Sequence, residues 1–491
     1  MNRVDFDHEV AIVGAGFSGF AAAIALDRAG LSDFVILEAA GEIGGTWRDN
    51  QYPGACCDVP SHLYSFSFEL NPNWGHRFSP AAEIHAYQRH VREQYGLGDR
   101  IRYRFEAVSA DYSAGGWLVL SSRGEQLRVR YLLTAIGALR IPNKPEFPGL
   151  DVFRGKVMHS AEWDHGYDPQ GKRMIVIGSA ASAVQIIPQL AAVATRMTVM
   201  QRTANYLIAR RDRKISDFEK RMFRKLPWIQ RLFRWRQYLI NDFLFHANFS
   251  GKASLRKSLL HGLVHRHMKH QVRDPALLEK LTPSYEIGCK RLLLSDDYLP
   301  AIQRDNVDLV TDGIARFTEN SLVTDRGEEI KADLVVLATG FETVRLFGDL
   351  KIGGPNGVSL EQAWKGEIRA HRSVAVKGFP NFFMMFGPNS GLGHSSIIIM
   401  LEAQARYISH LLRKARESGQ PTILVRPDAE VAYNKALQSA LKNTVWNSGC
   451  SSWYKDEQGR IFTLWPHTTS RFIREMRNIR LGEYRFFNDE Q

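Results

Sequence analysis

Two segments of the chain repeat one pattern of apolar and polar positions. Val10-Ala11-Ile12-Val13 is an unbroken apolar run. The turn GAGFSG at 14–19 follows it, then an alanine-rich stretch from Ala21 to Leu26 that ends near Gly30. A second apolar run spans Phe34 to Leu37. Runs this short and this uniformly apolar predict buried parallel strands, and the stretch between them predicts a helix. Residues 173–202 repeat the unit: Met174 to Ile177, the turn GSAASA at 178–183, and a second run from Met197 to Met200. Tyr131 to Gly137 and Leu334 to Gly340 also echo each other, each a buried-strand pattern ending at a glycine. These are the expected crossings between domains, the first stiffened by Pro142, Pro145 and Pro148.

The pattern predicts an α/β fold with two Rossmann-like dinucleotide-binding domains. The expected boundaries are 1–145 for the first part of one domain, 146–334 for an inserted second domain, and 335–491 for the return and the C-terminal segment. Helical spacing at Phe218, Met222, Phe223, Leu226, Ile229, Leu232 and Phe233 predicts a helical insertion over about 212–280 in the second domain. A lid over a substrate pocket is favoured for it, ahead of a basic amphipathic surface resting on a membrane.

The ends of the two repeats differ in charge. Glu38 and Arg202 each lie 24 residues beyond the first glycine of their turns. An acidic residue there accepts a hydrogen bond from a ribose 2′-hydroxyl, whereas an arginine pairs with a 2′-phosphate. The chain therefore reads as holding one unphosphorylated adenine dinucleotide and one NADP, as a flavin enzyme reduced by NADPH would. In the first turn Gly14 makes the tight bend, Gly16 admits the pyrophosphate and Gly19 allows close helix–strand contact; Ser18 lies in the same turn. The second turn places Gly178, Ser179, Ala181, Ser182 and Ala183 at the cofactor. Ala180 replaces its middle glycine, and its methyl is expected to crowd the pyrophosphate.

Composition narrows the class. The chain has 491 residues, 44% hydrophobic and 24% charged, and no apolar run of membrane-spanning length, roughly 20 residues. The net charge of +12 is expected to serve capture of polyanionic cofactors rather than nucleic acid. Four cysteines argue against a disulfide framework, and no His/Cys spacing suits a metal. No signal-like apolar region opens the chain, so a reducing cytoplasm is expected.

The string FRGKVMHSAEWD at 153–164 carries a family resemblance. Phe153, Gly155, His159, Trp163 and Asp164 match F-x-G-x-x-x-H-x-x-x-W-[P/D], the fingerprint of type I Baeyer–Villiger monooxygenases. The segment 44–68, containing Gly45, Thr46, Trp47, Asp58 and Tyr64, looks like the family's flavin-side segment. RTANYLIARR after the second repeat resembles its NADP-phosphate loop. GPNSGLGHSS at 387–396 and the stretch 449–467 most resemble the hydroxyacetophenone monooxygenase branch. Some members of that branch carry a long N-terminal extension absent here, so nothing about dimerisation carries over.

The resemblance implies FAD and NADPH as cofactors, and a ketone and O2 as substrates. The ketone is converted to an ester or lactone through a C4a-peroxyflavin. It implies that Arg291 is the catalytic cation and Asp58 the carboxylate that orients it. Arg202, Thr203 and Lys290 would hold the 2′-phosphate, and Trp453 would contact the nicotinamide half. His159 and Trp163 would couple domain rotation to cofactor movement. His394 is a candidate flavin-side residue, and Ser395 or Ser396 a candidate cap for a helix over 397–412. An S- or N-oxygenating flavin monooxygenase, an NADPH oxidase and a non-catalytic membrane-peripheral protein remain as alternatives. Which ketone is used is open, and the loops near 340–350 and 440–455 are expected to shape its pocket along with the 212–280 helices.

Overall fold

The computed structural model describes residues 5–449, 453–456 and 458–488. Its two main sheets follow from the two repeats. In the first, strand His8–Val13 lies between Phe34–Glu38 and Gln126–Thr134, parallel to both. Val10 sits opposite Phe34 on one side and Tyr131 on the other. Ala107–Ser113, Gly116–Ser121 and Gln126–Thr134 form an antiparallel meander. Phe382–Met384 returns from late in the chain to pair parallel with Gln126–Thr134, completing an eight-stranded sheet with Ile101–Tyr103 and Lys351–Gly353.

The second sheet has five parallel strands, in the order 307–310, 196–200, 173–177, 334–337 and 156–159. The pattern at Leu334 to Gly340 is thus a strand of this second sheet, with Leu334 beside Met174 and Lys156. The expected boundary at 335 cuts through it. Val335 and Leu337 pack with Ile175 and Ile177 in the core of this sheet, which keeps the whole strand in the second domain.

Gly14 and Gly19 explain why the first turn is as tight as it is. Gly14 has φ +116°, where side chains are strained, and a Cβ on Gly19 would lie 1.9 Å from the Gly14 carbonyl oxygen. Helix Phe17–Arg28 therefore presses onto the sheet, with Phe20, Ile24 and Leu26 in the core. The long helix Ile397–Ser418 covers the same region and shares that core. It extends six residues past the expected end at 412 and stops at Gly419, which adopts the left-handed conformation (φ +67°) that closes a helix.

The helical insertion comprises Asp217–Lys225, Pro227–Ile240 and Leu255–Gln271, with shorter turns between and after. Its inner face is tied to the first domain. Arg234 donates to the carbonyls of His62 and Leu63, and Gln230 donates to that of Asn71. Asp242 is buried and accepts from the backbone and hydroxyls of Thr469 and Ser470. Among the described residues no helix is long and apolar enough to cross a membrane.

Gly19→Ala should cost about 1–3 kcal/mol of stability, because its methyl meets backbone that cannot yield. A purified variant is expected to melt lower and retain less flavin absorbance per mole of protein. Gly98→Ala adds the same methyl where nothing lies within 4 Å, and should change neither.

Candidate active site

A cleft of about 1320 Å³ runs between the two glycine turns. Every cofactor-side position expected from the sequence lines it, except Gly19 and Ala183, which are buried in helix–strand packing. At one end Gly16 caps helix Phe17–Arg28 with no side-chain hydrogen bond, which leaves the first-turn N–H groups to a ligand. A Cβ on Gly16 would find only the Gly44 carbonyl, at 3.9 Å, so the approach to those N–H groups is open. Glu38 accepts from the Ala15 and Ala40 N–H groups at 2.9 and 3.0 Å and from Arg48 at 2.9 Å. Three bonds leave a carboxylate one further acceptor position, which suits a ribose hydroxyl. The buried carboxylate is thus held in place by backbone on both sides of the turn. The residues fit an FAD-type dinucleotide.

At the other end Gly178 repeats the conformation of Gly14, with φ +124°, and a Cβ there would lie 2.4 Å from the Ala338 oxygen. Ala180 occupies the cap position of helix Ala181–Ala191, its methyl exposed on the cleft wall. Ser179 donates to the Thr203 carbonyl at 2.7 Å, and Asn205 donates back to the Ser179 carbonyl at 2.9 Å. Arg202 is exposed on the cleft with Lys290 nearby. Burial pulls the Lys290 ammonium down from its ordinary value, and the positive charge of Arg202 adds to this. No carboxylate pairs with either among the described residues. Two neighbouring cations without a counterion suit a phosphate, and this end fits NADP.

Between the two ends, Arg291 donates to both oxygens of Asp58, from Nε and Nη2, each at 2.7 Å. The pair joins residues 233 positions apart. The Asp58 carboxylate holds the Arg291 guanidinium above its ordinary value, and about two-fifths of the arginine side chain faces the cleft. Tyr454 packs beside it; burial pushes its hydroxyl up to about 12. Trp453 is half exposed, with its ring 4.5 Å from that of Tyr454. Trp47 also lines the cleft, and its indole donates to Tyr64 Oη at 3.1 Å.

The fingerprint residues lie outside the cleft. Phe153 packs on Phe317, and a Cβ on Gly155 would meet the Asp333 carbonyl at 2.7 Å. His159 ends its strand with its ring against Phe341, and burial pulls its imidazole down from the ordinary value. Trp163 packs on the second-domain core, and Asp164 is paired with Lys156.

Four expectations are corrected. No described residue between 213 and 280 lines the cleft, so the helical insertion is not its lid; Thr343 and Leu346 supply the wall expected from 340–350. His394 turns away from the cleft toward buried Asp242, 3.2 Å away. Ser396 stands at the cap position of helix Ile397–Ser418 without capping it through its side chain, while Ser395 does reach the cleft. Cys289 is disulfide-bonded, which the cysteine count did not suggest; Cys56 and Cys57 are free thiols.

Three contributors were not singled out from the sequence. Arg48 clamps Glu38. Gln185 accepts from the Tyr52 hydroxyl at 2.9 Å and donates to the Cys56 carbonyl at 3.0 Å, joining the two halves. Asn205 fixes the second turn. Arg48 follows Trp47 in the segment already noted, whereas Gln185 gives no local signal.

Two dinucleotide turns facing one cleft, one with a carboxylate at its far end and one with paired cations, define a flavoprotein oxidoreductase of the double-Rossmann class. A model of the pyridine nucleotide-disulphide oxidoreductase family matches residues 11–223. A Baeyer–Villiger monooxygenase from Streptomyces coelicolor is 43% identical, over 97% of this chain and 92% of its own. A Baeyer–Villiger monooxygenase from Pseudomonas aeruginosa is 38% identical, over 94% and 88%. Among solved structures, an oxidised steroid monooxygenase bound to NADP matches with a TM-score of 0.87 at 27% identity, covering 99% of this chain and 100% of that one. The chain belongs to the Baeyer–Villiger monooxygenases. It is an FAD-dependent oxidoreductase that uses NADPH and O2 to insert one oxygen atom beside a ketone carbonyl.

Arg202→Ala should raise the KM for NADPH by about tenfold or more while leaving that for NADH nearly unchanged, since a charge-assisted hydrogen bond to phosphate is worth roughly 1.5–3 kcal/mol. Equal changes for both would place the 2′-phosphate elsewhere. Ala180→Gly should tighten NADPH in a binding titration.

Proposed function

We propose that Arg291 is the catalytic cation and that Asp58 orients it. The observation behind this is a two-pronged Asp58–Arg291 bond in the stretch of cleft between the two dinucleotide turns. FAD, reduced by NADPH, supplies the oxygen-activating chemistry when bound. The protein's part is positioning, charge and exclusion of water. Arg291 stays cationic at any working pH, so it offers a fixed positive charge to oxygen atoms that become negative during attack on the ketone carbonyl. Asp58 occupies Nε and Nη2, which leaves Nη1 and the second hydrogen of Nη2 to turn toward the cleft. Trp453 and Tyr454 shield this region from the side, and Leu392, Phe462 and Leu464 make its wall apolar. That wall favours an apolar ketone, whether linear, cyclic or aryl.

Arg202, Thr203 and Lys290 hold the 2′-phosphate in this reading, and Glu38 with the turn at 14–19 holds the FAD ribose and pyrophosphate. The fingerprint residues act on how the second domain is seated, since none lines the cleft. Dependence on NADPH supports a cytoplasmic location.

The test is product analysis on the FAD-loaded enzyme with NADPH, O2 and a panel of ketones and thioethers. Esters or lactones are the expected products; sulfoxides alone would replace this reading with a soft-nucleophile oxygenase. Arg291→Ala should keep NADPH-dependent flavin reduction and lose about 100- to 1000-fold in ester formation. Asp58→Asn should cost less, because the arginine remains but is no longer held. An unchanged ester yield in Arg291→Ala would remove that residue from the reaction.

A further inference from the structure

The helical insertion does not cover the cleft, yet it carries most of the exposed large apolar side chains among the described residues. Of the 18 exposed large apolar side chains among the described residues, 11 lie between 218 and 263. On helix Pro227–Ile240 they form one stripe: Trp228, Leu232, Trp235 and Leu239, continued by Phe243. Their spacing of three or four residues puts them on a single helix face. The opposite face is the one that packs inward, through Gln230 and Arg234. Leu255, Leu259 and Leu263 form a second exposed stripe on helix Leu255–Gln271. The two stripes meet where the Arg256 guanidinium lies 4.4 Å over the Phe243 ring and donates to the Phe243 carbonyl. Single exposed apolar residues are ordinary, but a contiguous pair of stripes marks a surface meant to be covered.

The charge around the patch selects what covers it. Residues 217–271 hold twelve Lys and Arg against three Asp and Glu. Arg231 and Arg236 are exposed and flank the tryptophan stripe on its two sides, with Arg224 and Lys225 just before it. A second copy of the same face would bring like charges together. An anionic lipid surface accepts both features: acyl chains take the apolar stripe, headgroups take the cations, and tryptophan rings settle at the boundary between them. We propose that the helices 217–271 are a docking face for anionic phospholipid membrane, with the protein lying on the surface rather than crossing it. An enzyme seated there meets apolar ketones where they partition.

The experiment is vesicle flotation of the FAD-loaded protein at moderate salt. One set of vesicles is pure phosphatidylcholine and the other contains phosphatidylglycerol. Binding to the anionic vesicles is expected to exceed binding to the neutral ones by about tenfold or more. The triple variant Trp228→Ser/Trp235→Ser/Phe243→Ser should lose that binding, as should Arg231→Glu/Arg236→Glu. Both should keep the wild-type melting temperature and NADPH turnover with a water-soluble ketone, since these side chains are exposed and outside the cleft. Binding that survives the triple variant would reduce the effect to general cationic adsorption and overturn the proposal. So would an absence of flotation, or a sedimentation velocity dimer that the triple variant dissociates, which would assign the face to a second copy.

Discussion

The Asp58–Arg291 bond is the constraint on which the cleft depends. Asp58 sits in a loop that follows the first dinucleotide unit, and Arg291 lies two residues before a short strand that pairs beside Leu207, beyond the second. Each would be a charged side chain facing a partly dry cavity on its own, and such a charge is costly unless paired. Paired, each fixes the other with two parallel hydrogen bonds, a geometry open to arginine and closed to lysine. The bond also measures the distance between the two halves. Lys290, one residue away, carries the same segment to the Arg202 end, so the centre of the cleft and its Arg202 end are set by one short stretch of chain.

Much of this was legible in the sequence because it is local. A glycine at 14 or 178, with a charged residue 24 positions on, is fixed by the length of one strand–helix–strand unit, and the structure places those residues along the cleft. The fingerprint at 153–164 pointed to the family without pointing to a surface of the site. Of the longer-range partners, the Asp58–Arg291 pair was expected through the family resemblance alone, and the others were not legible. Arg48 reaches Glu38 only because the turn at 44–45 folds back over Gly16. Gln185 reaches Tyr52 and Cys56 only because helix and loop pack together. Nothing in the local pattern distinguishes that glutamine from one facing solvent.

The helical insertion shows a different limit. Phe218, Leu226 and Leu232 have the spacing of a core stripe and are exposed, while Phe223, in the same series, is buried. Periodicity reports that a helix has an apolar side; it does not report what lies opposite. The buried side was carried by Gln230 and Arg234, polar residues that satisfy main-chain carbonyls in the neighbouring loop. Phe223 and Phe233 of the series do face inward, against His62, so the apolar series is split between the packed and the exposed side.

Gly54 carries a consequence for motion. Its missing side chain lets the Gln185 carbonyl approach so closely that a Cβ would stand 2.5 Å from it, and the amide bonds of Gln185 close the contact. Helix Ala181–Ala191 of one half is thereby riveted to the loop that carries Asp58 in the other. This contact and the Asp58–Arg291 bond brace the same loop from two sides. Among the described residues no hydrogen bond ties the exposed Arg202 side chain, so the cleft is stiff beside Asp58 and left adjustable at its Arg202 end.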